Sequence, residues 1–386
     1  MKLCVIGPTY PYRGGISHYT TFLVQHLRNA GHWAQLYSYI RQYPRWLFPG
    51  RTDQDPSAEP LKVECKYILD PINPATWLQV ARQVRADAPD ALILQWWVPY
   101  WAPSLAVISR WIRRNTAIRV VFIVHNVLPH EGGGALDHRL AKIALGQGDV
   151  FIVHSDQEAQ QLKALLPHAV VFKAHFPTYA GLAHQSDSGA ATRLRRELKL
   201  PDSQPVVLFF GFVRPYKGLD YLVRALPLVR KKLPVHLVVV GEFWVPPEAY
   251  HRLACDLGVE NAITFVNRYI PNEELGLYFD LADVVVLPYV SATQSAAIPL
   301  AFGFGKPVIT TRVGGLHEVV EDGVTGLIVP PQDEQALADA IIYFYTQGLG
   351  PHLAANVRCR QAEGRFGWDA LIRLIEQAVQ SMSSTS

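Results

Sequence analysis

The stretch from Asp283 to Glu318 constrains the fold more than any other part of the sequence. It contains an apolar run (DVVVLP), a polar turn, a short helix, a Gly-Lys-Pro break, a second apolar run (PVIT) and a Gly-Gly turn. Two apolar runs joined through a helix predict a βαβ unit, whose strands are parallel. Both polar turns then lie on one edge of the sheet, where open parallel sheets bind their ligands. We expect this edge to hold an anion such as a diphosphate.

The same alternation of apolar runs and helical spacings fills the chain in two series. The first occupies residues 1–185, a polar segment rich in turn formers occupies 186–205, and the alternation restarts over 206–366. Apolar strands alternating with helices predict parallel sheets covered on both faces. We therefore predict an α/β protein of two Rossmann-like, doubly wound domains that face a cleft, with a linker at 186–205. An amphipathic helix over 367–386 is expected to pack back on the first domain.

Composition excludes several other classes. A chain of 386 residues is long enough for two full cores, and its 49% hydrophobic and 18% charged residues argue against disorder. The net charge of +3 is too small to indicate nucleic-acid binding. The apolar runs are too short to span a bilayer, and the one after Met1 is too short for a signal-peptide core. The four cysteines lack metal-ligand spacing, which predicts buried free thiols in a cytoplasmic protein.

The loop Gly211–Gly218 (GFVRPYKG) carries the strongest local signal. It follows an apolar strand, precedes a helix, and places Arg214 and Lys217 three residues apart. A guanidinium and an ammonium beside a helix N-terminus suit a pyrophosphate that gains negative charge as it leaves. A solvated basic loop is the alternative.

Other loops that follow strands supply further candidates for binding phosphate or sugar. Three polar residues stand before a helix, with ordinary helix capping as the alternative: Thr293, Gln294 and Ser295. Glu242 and Arg268 follow two other strands of the second half. In the first half, Gly14 and Gly15 follow the first strand and let the backbone approach a ligand closely.

The remaining candidates of the first half concern catalysis and the acceptor. His125 ends the strand VVFIV and is a candidate ligand of the acceptor or the transition state, although a lone histidine is more often structural. His130 and Glu131, in the loop after it, are candidates for positioning acceptor hydroxyls. Trp97 belongs to the aromatic run 95–101, which is predicted to stack on a sugar or touch lipid, with core packing as the alternative.

A helix near this aromatic run suggests a surface partner. Residues 108–119 carry four arginines beside an apolar helix face. Such a pattern suits an anionic membrane surface, and a solvated helix face is the alternative. It leads us to expect a peripheral contact with the inner membrane surface and a lipid-linked acceptor.

The order of the motifs resembles the retaining glycosyltransferases of family 4, which have the GT-B fold. The matching segments are PYRGG (11–15), RPYKG (214–218), GE (241–242), ADVVVLPY (282–289), GKPVI (305–309), GG..E (314–318) and DG.TG (322–326). The resemblance covers nearly the whole chain. It implies a nucleotide-sugar donor held mainly by the second domain and an acceptor, such as a lipid-linked or polysaccharide precursor, held mainly by the first. It also implies that His125 lies near the reacting centre.

One departure from the family concerns carboxylates. Most members carry Glu-x7-Glu ahead of the Gly-Lys-Pro, and the corresponding positions here are Ala292 and Leu300. A sub-group with a Ser/Thr-Gln-Ser turn resembles the chain better, so the turn 293–295 is expected to take over sugar and phosphate contacts. Glu318 is a candidate for ribose recognition, or it caps the following helix.

The resemblance implies a hexosyltransferase that needs no cofactor. Asp53-Gln54-Asp55 is similar to the DxD metal motif of the other glycosyltransferase fold, but it lies in a Pro-rich loop away from the phosphate motifs, so a chance occurrence is preferred. Arg214, Lys217 and a helix dipole supply the charge that a metal gives elsewhere. Two alternatives stay open: a nucleotide-sugar epimerase of the same fold, and a catalytically silent nucleotide-sugar-binding protein.

Overall fold

The computed structural model describes residues 1–44, 48, 50–129, 133–182, 189–201 and 203–381. The chain forms two compact units. The first comprises Met1–Asp55, Pro60–His175 and Gly367–Ser386, and the second comprises Pro56–Glu59 and Phe176–Phe366.

The first unit is built on a parallel sheet. Within the described part of the chain its strands are β1 (Lys2–Ile6), β2 (Trp33–Tyr39), β3 (Cys65–Leu69), β4 (Ala91–Trp96), β5 (Arg119–Val124), β6 (Val150–Val153) and β7 (Val171–Lys173). They are ordered β3-β2-β1-β4-β5-β6-β7. The helices are α1 (Gly15–Asn29), α2 (Pro74–Asp87), α3 (Ala102–Asn115), α4 (Ala135–Leu145) and α5 (Asp156–Leu165), with α14 (Trp368–Ser381) from the end of the chain. Every residue of β4 is buried, because helices cover both faces of the sheet.

The second unit repeats this architecture. Among its described residues the strands are β8 (Val206–Phe210), β9 (His236–Val240), β10 (Ile263–Val266), β11 (Val284–Leu287), β12 (Val308–Thr311) and β13 (Gly326–Val329), ordered β10-β9-β8-β11-β12-β13. The helices are α6 (Ala190–Glu197), α7 (Leu219–Arg230), α8 (Glu248–Asp256), α9 (Leu275–Leu281), α10 (Ala297–Gly303), α11 (Leu316–Val319), α12 (Glu334–Thr346) and α13 (Gly350–Ala362). Short 3-10 turns at Pro215–Lys217 and Asn272–Glu274 precede α7 and α9.

In both sheets the direction of winding reverses beside the first strand of the unit. β1 lies between β2 and β4, and β8 lies between β9 and β11, with parallel pairing throughout. Ligands of doubly wound sheets bind outside the carboxyl ends of the strands at such a point. The predicted fold class, with two Rossmann-like doubly wound domains, is confirmed.

The course of the chain between the units differs from the expected linker. The chain passes from the first unit to the second between His175 and Phe176. The segment 186–205 contains α6, which packs against α9 inside the second unit and buries Leu194. α14 packs against α1 in the first unit, where the centre of the Trp368 ring lies 5.2 Å from that of Tyr19.

Among the described helices, none is both long enough and apolar enough to cross a membrane.

All four cysteines are free, but only Cys4 is buried, whereas Cys255 and Cys359 are exposed. The expectation of buried thiols is wrong for these two, because they lie on the outer sides of α8 and α13.

Candidate active site

Glycines bring the loops at the carboxyl edge of the second sheet into close contact. A Cβ on Gly218, which has φ +65°, would lie 2.1 Å from the carbonyl oxygen of Pro288. A Cβ on Gly241, which has φ +146°, would lie 2.1 Å from the carbonyl oxygen of Gly211. Both distances are far below van der Waals contact, and residues other than glycine rarely adopt either φ value. The loop 211–218 is therefore held directly against the ends of β9 and β11.

Lys217 extends from this loop toward the end of β11. Its Nζ lies 5.4 Å from the centre of the Tyr289 ring, and a Cβ on Gly211 would lie 3.0 Å from it. Burial lowers the pKa of the Lys217 ammonium below its ordinary value; Tyr216 raises this pKa and Arg214 lowers it further. A bound anion would favour the charged form. Lys217 is thus a partly desolvated cation at the point where an anionic ligand is expected.

Arg214 extends from the same loop toward the end of β9. Its guanidinium carbon lies 5.2 Å from the centre of the Tyr216 ring and 5.3 Å from that of Trp244. Trp244 in turn lies 4.6 Å from Phe212. The two cations predicted to act together therefore contact different neighbours, one beside β11 and the other beside β9.

The polar turn 293–295 lies beside the turn that follows β12. The amide of Gly315 donates to the carbonyl oxygen of Thr293 at 2.9 Å, so the two polar turns meet at one edge as predicted from their parallel strands. Ser295 accepts a hydrogen bond from the amide of Ala297 at 3.2 Å and lies 3.1 Å from the Tyr289 hydroxyl. Ser295 thus bonds the first amide of α10, and the Tyr289 side chain contacts both Ser295 and Lys217. Thr293 is buried and Gln294 is half-buried.

The three other candidates of the second unit have different surroundings. Glu242 is only 3% exposed, and its carbonyl oxygen accepts from the amide of Val213 at 2.9 Å. Arg268 forms an ion pair with Glu274, which is the main cause of its raised pKa. The Arg268 guanidinium is therefore engaged in an ion pair within the second unit. Glu318 is half-buried in α11.

Candidates of the first unit lie at the carboxyl edge of its own sheet. Gly14, which has φ +105°, precedes α1, and Gly15 is its first residue. The carbonyl oxygen of Asp53 accepts from the amide of Arg13 at 2.9 Å, so the DxD-like segment packs beside this glycine pair. Among the described residues, no group of three or more His, Cys, Asp or Glu side chains is arranged to hold a metal. Metal independence stays a prediction.

His125 is buried in the interior of this unit, with 3% of its surface exposed. Its Nε2 lies 2.7 Å from Oε1 of Gln95, and its ring contacts Tyr19, with centres 4.6 Å apart. Burial, assisted by His154, lowers the pKa of His125 well below its ordinary value. The imidazole is therefore neutral, and it contributes a hydrogen bond rather than a charge.

The candidates for binding the acceptor are only partly described. Trp97 is 7% exposed, donates its indole N–H to the Tyr43 hydroxyl at 3.1 Å, and packs on Trp101 with ring centres 5.0 Å apart. Core packing, the alternative in the sequence, accounts for most of its surface. His130 and Glu131 lie outside the described residues.

Sequence reasoning missed the aromatic residues that line the edge of the second sheet. Tyr289, Trp244 and Tyr269 each stand in a loop directly after an apolar strand. That position was the available signal, because such loops meet at one edge of a parallel sheet.

Two family models match the two halves of the chain. Residues 14–174 match the glycosyl transferase 4-like domain, and residues 204–347 match glycosyl transferases group 1. The chain belongs to the group 1 glycosyltransferases. The glycosyltransferase family and the GT-B fold predicted from sequence are confirmed, whereas retention of configuration and metal independence stay predictions.

Curated relatives of this glycosyltransferase carry a related name. A D-inositol 3-phosphate glycosyltransferase of Mycobacterium leprae is 28% identical over 88% of this chain and 82% of its own length. Another protein of that name, from Xylanimonas cellulosilytica, is 36% identical, but the match spans 48% of this chain and less than half, 44%, of the relative.

Solved structures show the same GT-B fold over the whole length. A sucrose-phosphate synthase from Thermosynechococcus elongatus has a TM-score of 0.71 at 23% identity, covering 100% of both chains. The Anabaena protein HepE, solved with UDP, has a TM-score of 0.75 at 18% identity and covers 99% of this chain and 100% of its own.

Proposed function

We propose that this glycosyltransferase moves a sugar from a nucleoside-diphosphate donor to an acceptor hydroxyl, with retention of configuration and without a metal ion. The observation that carries the proposal is the position of Lys217. Its ammonium is packed against Tyr289 and Gly211, beside the turn 293–295, where the winding of the second sheet reverses. The UDP bound to HepE supports a nucleoside-diphosphate donor, and the names of the curated relatives support glycosyl transfer.

Lys217 provides the charge that the reaction needs. When the bond between the sugar and the diphosphate breaks, negative charge grows on the departing phosphate oxygens. A cation that is already in place and partly desolvated interacts with that charge more strongly than one in bulk water. The close packing at Gly211 and Gly218 limits the movement of the loop, so little reorganisation is needed when the charge develops.

Retention of configuration follows from front-face substitution in this proposal. The acceptor oxygen attacks the face that the diphosphate leaves, the new C–O bond replaces the old one, and the acceptor proton passes to a departing phosphate oxygen. This route suits an edge at which the candidate catalytic groups are cations. For the first unit, the proposal assigns His125 to the acceptor as a neutral hydrogen-bonding group, because burial and His154 disfavour its charged form.

Replacement of Lys217 by alanine tests the proposal. We expect kcat/KM for sugar transfer to fall by about 100-fold or more, with little change in thermal stability. Lys232→Ala is the matched control, since Lys232 is exposed in the turn after α7. Unchanged kinetics in Lys217→Ala would refute the assignment. Donor binding by calorimetry without transfer to any acceptor would instead support the silent binding protein.

A peripheral membrane contact and a lipid-linked acceptor extend the proposal. α3 and α4 pack side by side and expose three apolar side chains: Val107, Leu136 and Ile143. Exposed basic residues of the same helices surround them: Arg110, Arg114, Arg139 and Lys142. Apolar side chains flanked by cations are typical of interfacial helices. We expect the protein to sediment with phosphatidylglycerol vesicles and Leu136→Ser/Ile143→Ser to do so less. Equal sedimentation of both proteins would contradict the contact.

A further inference from the structure

We propose that Gln95 is a positioning residue that holds His125 in the tautomer with the proton on Nε2, so that Nδ1 acts as a hydrogen-bond acceptor. The inference deepens the proposed function and rests on it for the place of His125 beside the acceptor. Any substrate group that meets Nδ1 must then be a donor, such as a hydroxyl.

Gln95 is an exception within β4, whose other residues are apolar or aromatic. Its side chain is fully buried, and burying an amide costs free energy unless its polar atoms are hydrogen-bonded. Oε1 of Gln95 lies 2.7 Å from Nε2 of His125. The amide nitrogen of Gln95 has no hydrogen-bond partner among the residues that the structure describes. The contact with His125 is therefore the one return for burying this amide, which points to a role for that contact beyond stability.

The tautomer follows from the chemistry of the amide oxygen. A carbonyl oxygen accepts and never donates, so the hydrogen between Gln95 and His125 belongs to Nε2 of the imidazole. Burial and His154 lower the pKa of His125, so the ring carries one proton rather than two. Nδ1 of His125 therefore keeps a lone pair.

His154 provides an internal contrast to His125. The two rings lie close together, with centres 5.6 Å apart, and burial lowers the pKa of both. Nδ1 of His154 lies 3.1 Å from the carbonyl oxygen of Ala174. That oxygen also only accepts, so His154 carries its proton on Nδ1. Two neighbouring neutral imidazoles thus have opposite tautomers, each set by the oxygen that it faces.

The surrounding packing fixes Gln95 and His125 against each other. Gly7 adjoins Gln95 across the sheet, and a Cβ on Gly7 would lie 2.7 Å from Cγ of Gln95. The amide of His125 donates to the carbonyl oxygen of Trp96 at 2.8 Å, and the His125 ring packs edge-on against Tyr19. These contacts determine where the imidazole lies, and the contact with Gln95 determines which nitrogen carries the proton.

The tautomer decides which hydroxyl His125 can orient in the proposed reaction. The attacking hydroxyl gives its proton to a departing phosphate oxygen, so a lone pair on Nδ1 suits a neighbouring hydroxyl of the acceptor that does not react. The opposite tautomer would present an N–H there and oppose the hydrogen of that hydroxyl. Loss of Gln95 lets the ring populate both forms, which weakens the orientation of the acceptor without removing His125.

Heteronuclear NMR on protein with isotope-labelled histidines measures the tautomers without any substrate. The chain contains 14 histidines, and His125→Asn and His154→Asn identify the two signals. At about pH 7 we expect the wild type to carry the proton on Nε2 of His125 and on Nδ1 of His154. Gln95→Met is expected to shift His125 toward the Nδ1–H form. Gln95→Glu, whose carboxylate also accepts, is expected to keep Nε2 protonated.

Turnover and stability distinguish positioning from packing. Gln35→Met is the matched control, because Gln35 is a half-buried glutamine of β2 in the same sheet. UDP-glucose, ADP-glucose and GDP-mannose serve as donors and octyl glucoside as acceptor. We expect kcat/KM with the best of these donors to be about 10-fold lower in Gln95→Met than in Gln35→Met. The urea midpoint of Gln95→Met is expected to stay close to that of the wild type.

Two NMR results would overturn the inference: a His125 protonated at Nδ1 in the wild type, or a His125 signal that Gln95→Met leaves unchanged. Equal kcat/KM in Gln95→Met and Gln35→Met would overturn the positioning role. Failure of the proposed function gives a different pattern. In that case Lys217→Ala turns the donors over at the wild-type rate, while the NMR signals still report the tautomer of His125.

Discussion

The loop after β1 and the loop after β8 occupy equivalent places in the two sheets, yet the arginine is buried in the first and half-exposed in the second. Each follows the first strand of its unit and begins with a glycine, Gly7 or Gly211. In the first unit, a Cβ on Gly7 would lie 2.7 Å from Cγ of Gln95, and Arg13 is only 8% exposed. In the second unit, Gly211 leaves room for the Lys217 ammonium, and Arg214 is half-exposed.

The difference shows that topology alone does not decide where charge is presented. Both loops contain glycine and arginine at the reversal point of a doubly wound sheet. The first packs its cation against the Phe48 ring, with the guanidinium carbon 5.6 Å from the ring centre. The second places two cations beside aromatic rings at the edge. Accordingly, we assign the anionic part of the donor to the second unit.

Substitution of Gly218 tests whether close packing positions the loop of the second unit. In Gly218→Ala the new Cβ overlaps the Pro288 carbonyl oxygen and the residue keeps φ +65°. We expect a loss of about 3–5 kcal/mol in the free energy of unfolding, or a displaced loop with strongly weakened pyrophosphate binding. Urea unfolding and calorimetry measure both.

Gly323→Ala is the matched control for this substitution. Gly323 also has a positive φ, +71°, but nothing lies within 4 Å of an added Cβ, so about 1 kcal/mol is expected. Similar losses in the two variants would show that backbone strain alone, and not the contact with Pro288, fixes the loop.

The dependence of the unfolding free energy on pH tests whether His154, at the edge of the first sheet, is a neutral imidazole. Burial lowers the pKa of His154 to about 4, whereas the unfolded chain has its ordinary value. Between these values the unfolded state binds more protons, so stability falls as the pH falls. We expect His154 alone to cost about 2 kcal/mol between about pH 7 and pH 5.

His154→Asn isolates this contribution, because an amide N–H can replace the Nδ1 donor to the Ala174 carbonyl oxygen, now 3.1 Å away. The variant is expected to lose less stability over that pH range in urea unfolding. His125, whose pKa is also lowered, and His236 of the second unit, whose pKa is lowered to about 4, account for the pH dependence of stability that remains. If the unfolding free energy of His154→Asn depends on pH as strongly as that of the wild type, His154 is not a buried neutral imidazole.

The smallest effects are expected from replacing Arg13 and Arg214, the arginines of the two loops. Arg13→Ala removes a buried side chain and is expected to cost about 2 kcal/mol of stability. Arg214→Ala removes a half-exposed one and is expected to change stability by less than about 0.5 kcal/mol while weakening binding of nucleoside diphosphates by about 10-fold. Urea unfolding measures the stability of both variants, and calorimetry measures their binding of nucleoside diphosphates. A large stability loss in Arg214→Ala with no loss in Arg13→Ala would contradict the difference described between the two loops.

The strands and several helix starts could be predicted because their signals are local. The sequence predicts strands at about 33–39 and 119–124, and β2 and β5 have these bounds. The run Ser155-Asp156-Gln157-Glu158 predicts a capping box at the start of a helix. Ser155 does cap α5, accepting from the amide of Glu158, but the Glu158 carboxylate bonds the amide of His154 rather than that of Ser155. α13 was not predicted, since it buries only Leu353 and Val357 and has little periodic pattern.

The candidate site was predicted in its loops but not in its contacts. Spacing located Arg214 and Lys217, yet the directions of their side chains depend on Trp244 and Tyr289, which are distant in sequence. The ion pair of Arg268 with Glu274 depends on the geometry of the turn before α9. Such contacts are set by packing between loops, for which a single sequence carries no local pattern.

The lowered pKa of Lys217 couples ligand exchange to protons. The empty site disfavours the charged ammonium, and a bound diphosphate favours it, so binding draws a fraction of a proton from solution when the pH lies near the lowered pKa. Departure of the diphosphate returns that proton. If the proposed function holds, an alkaline medium is expected to weaken binding of the diphosphate product as well as of the donor.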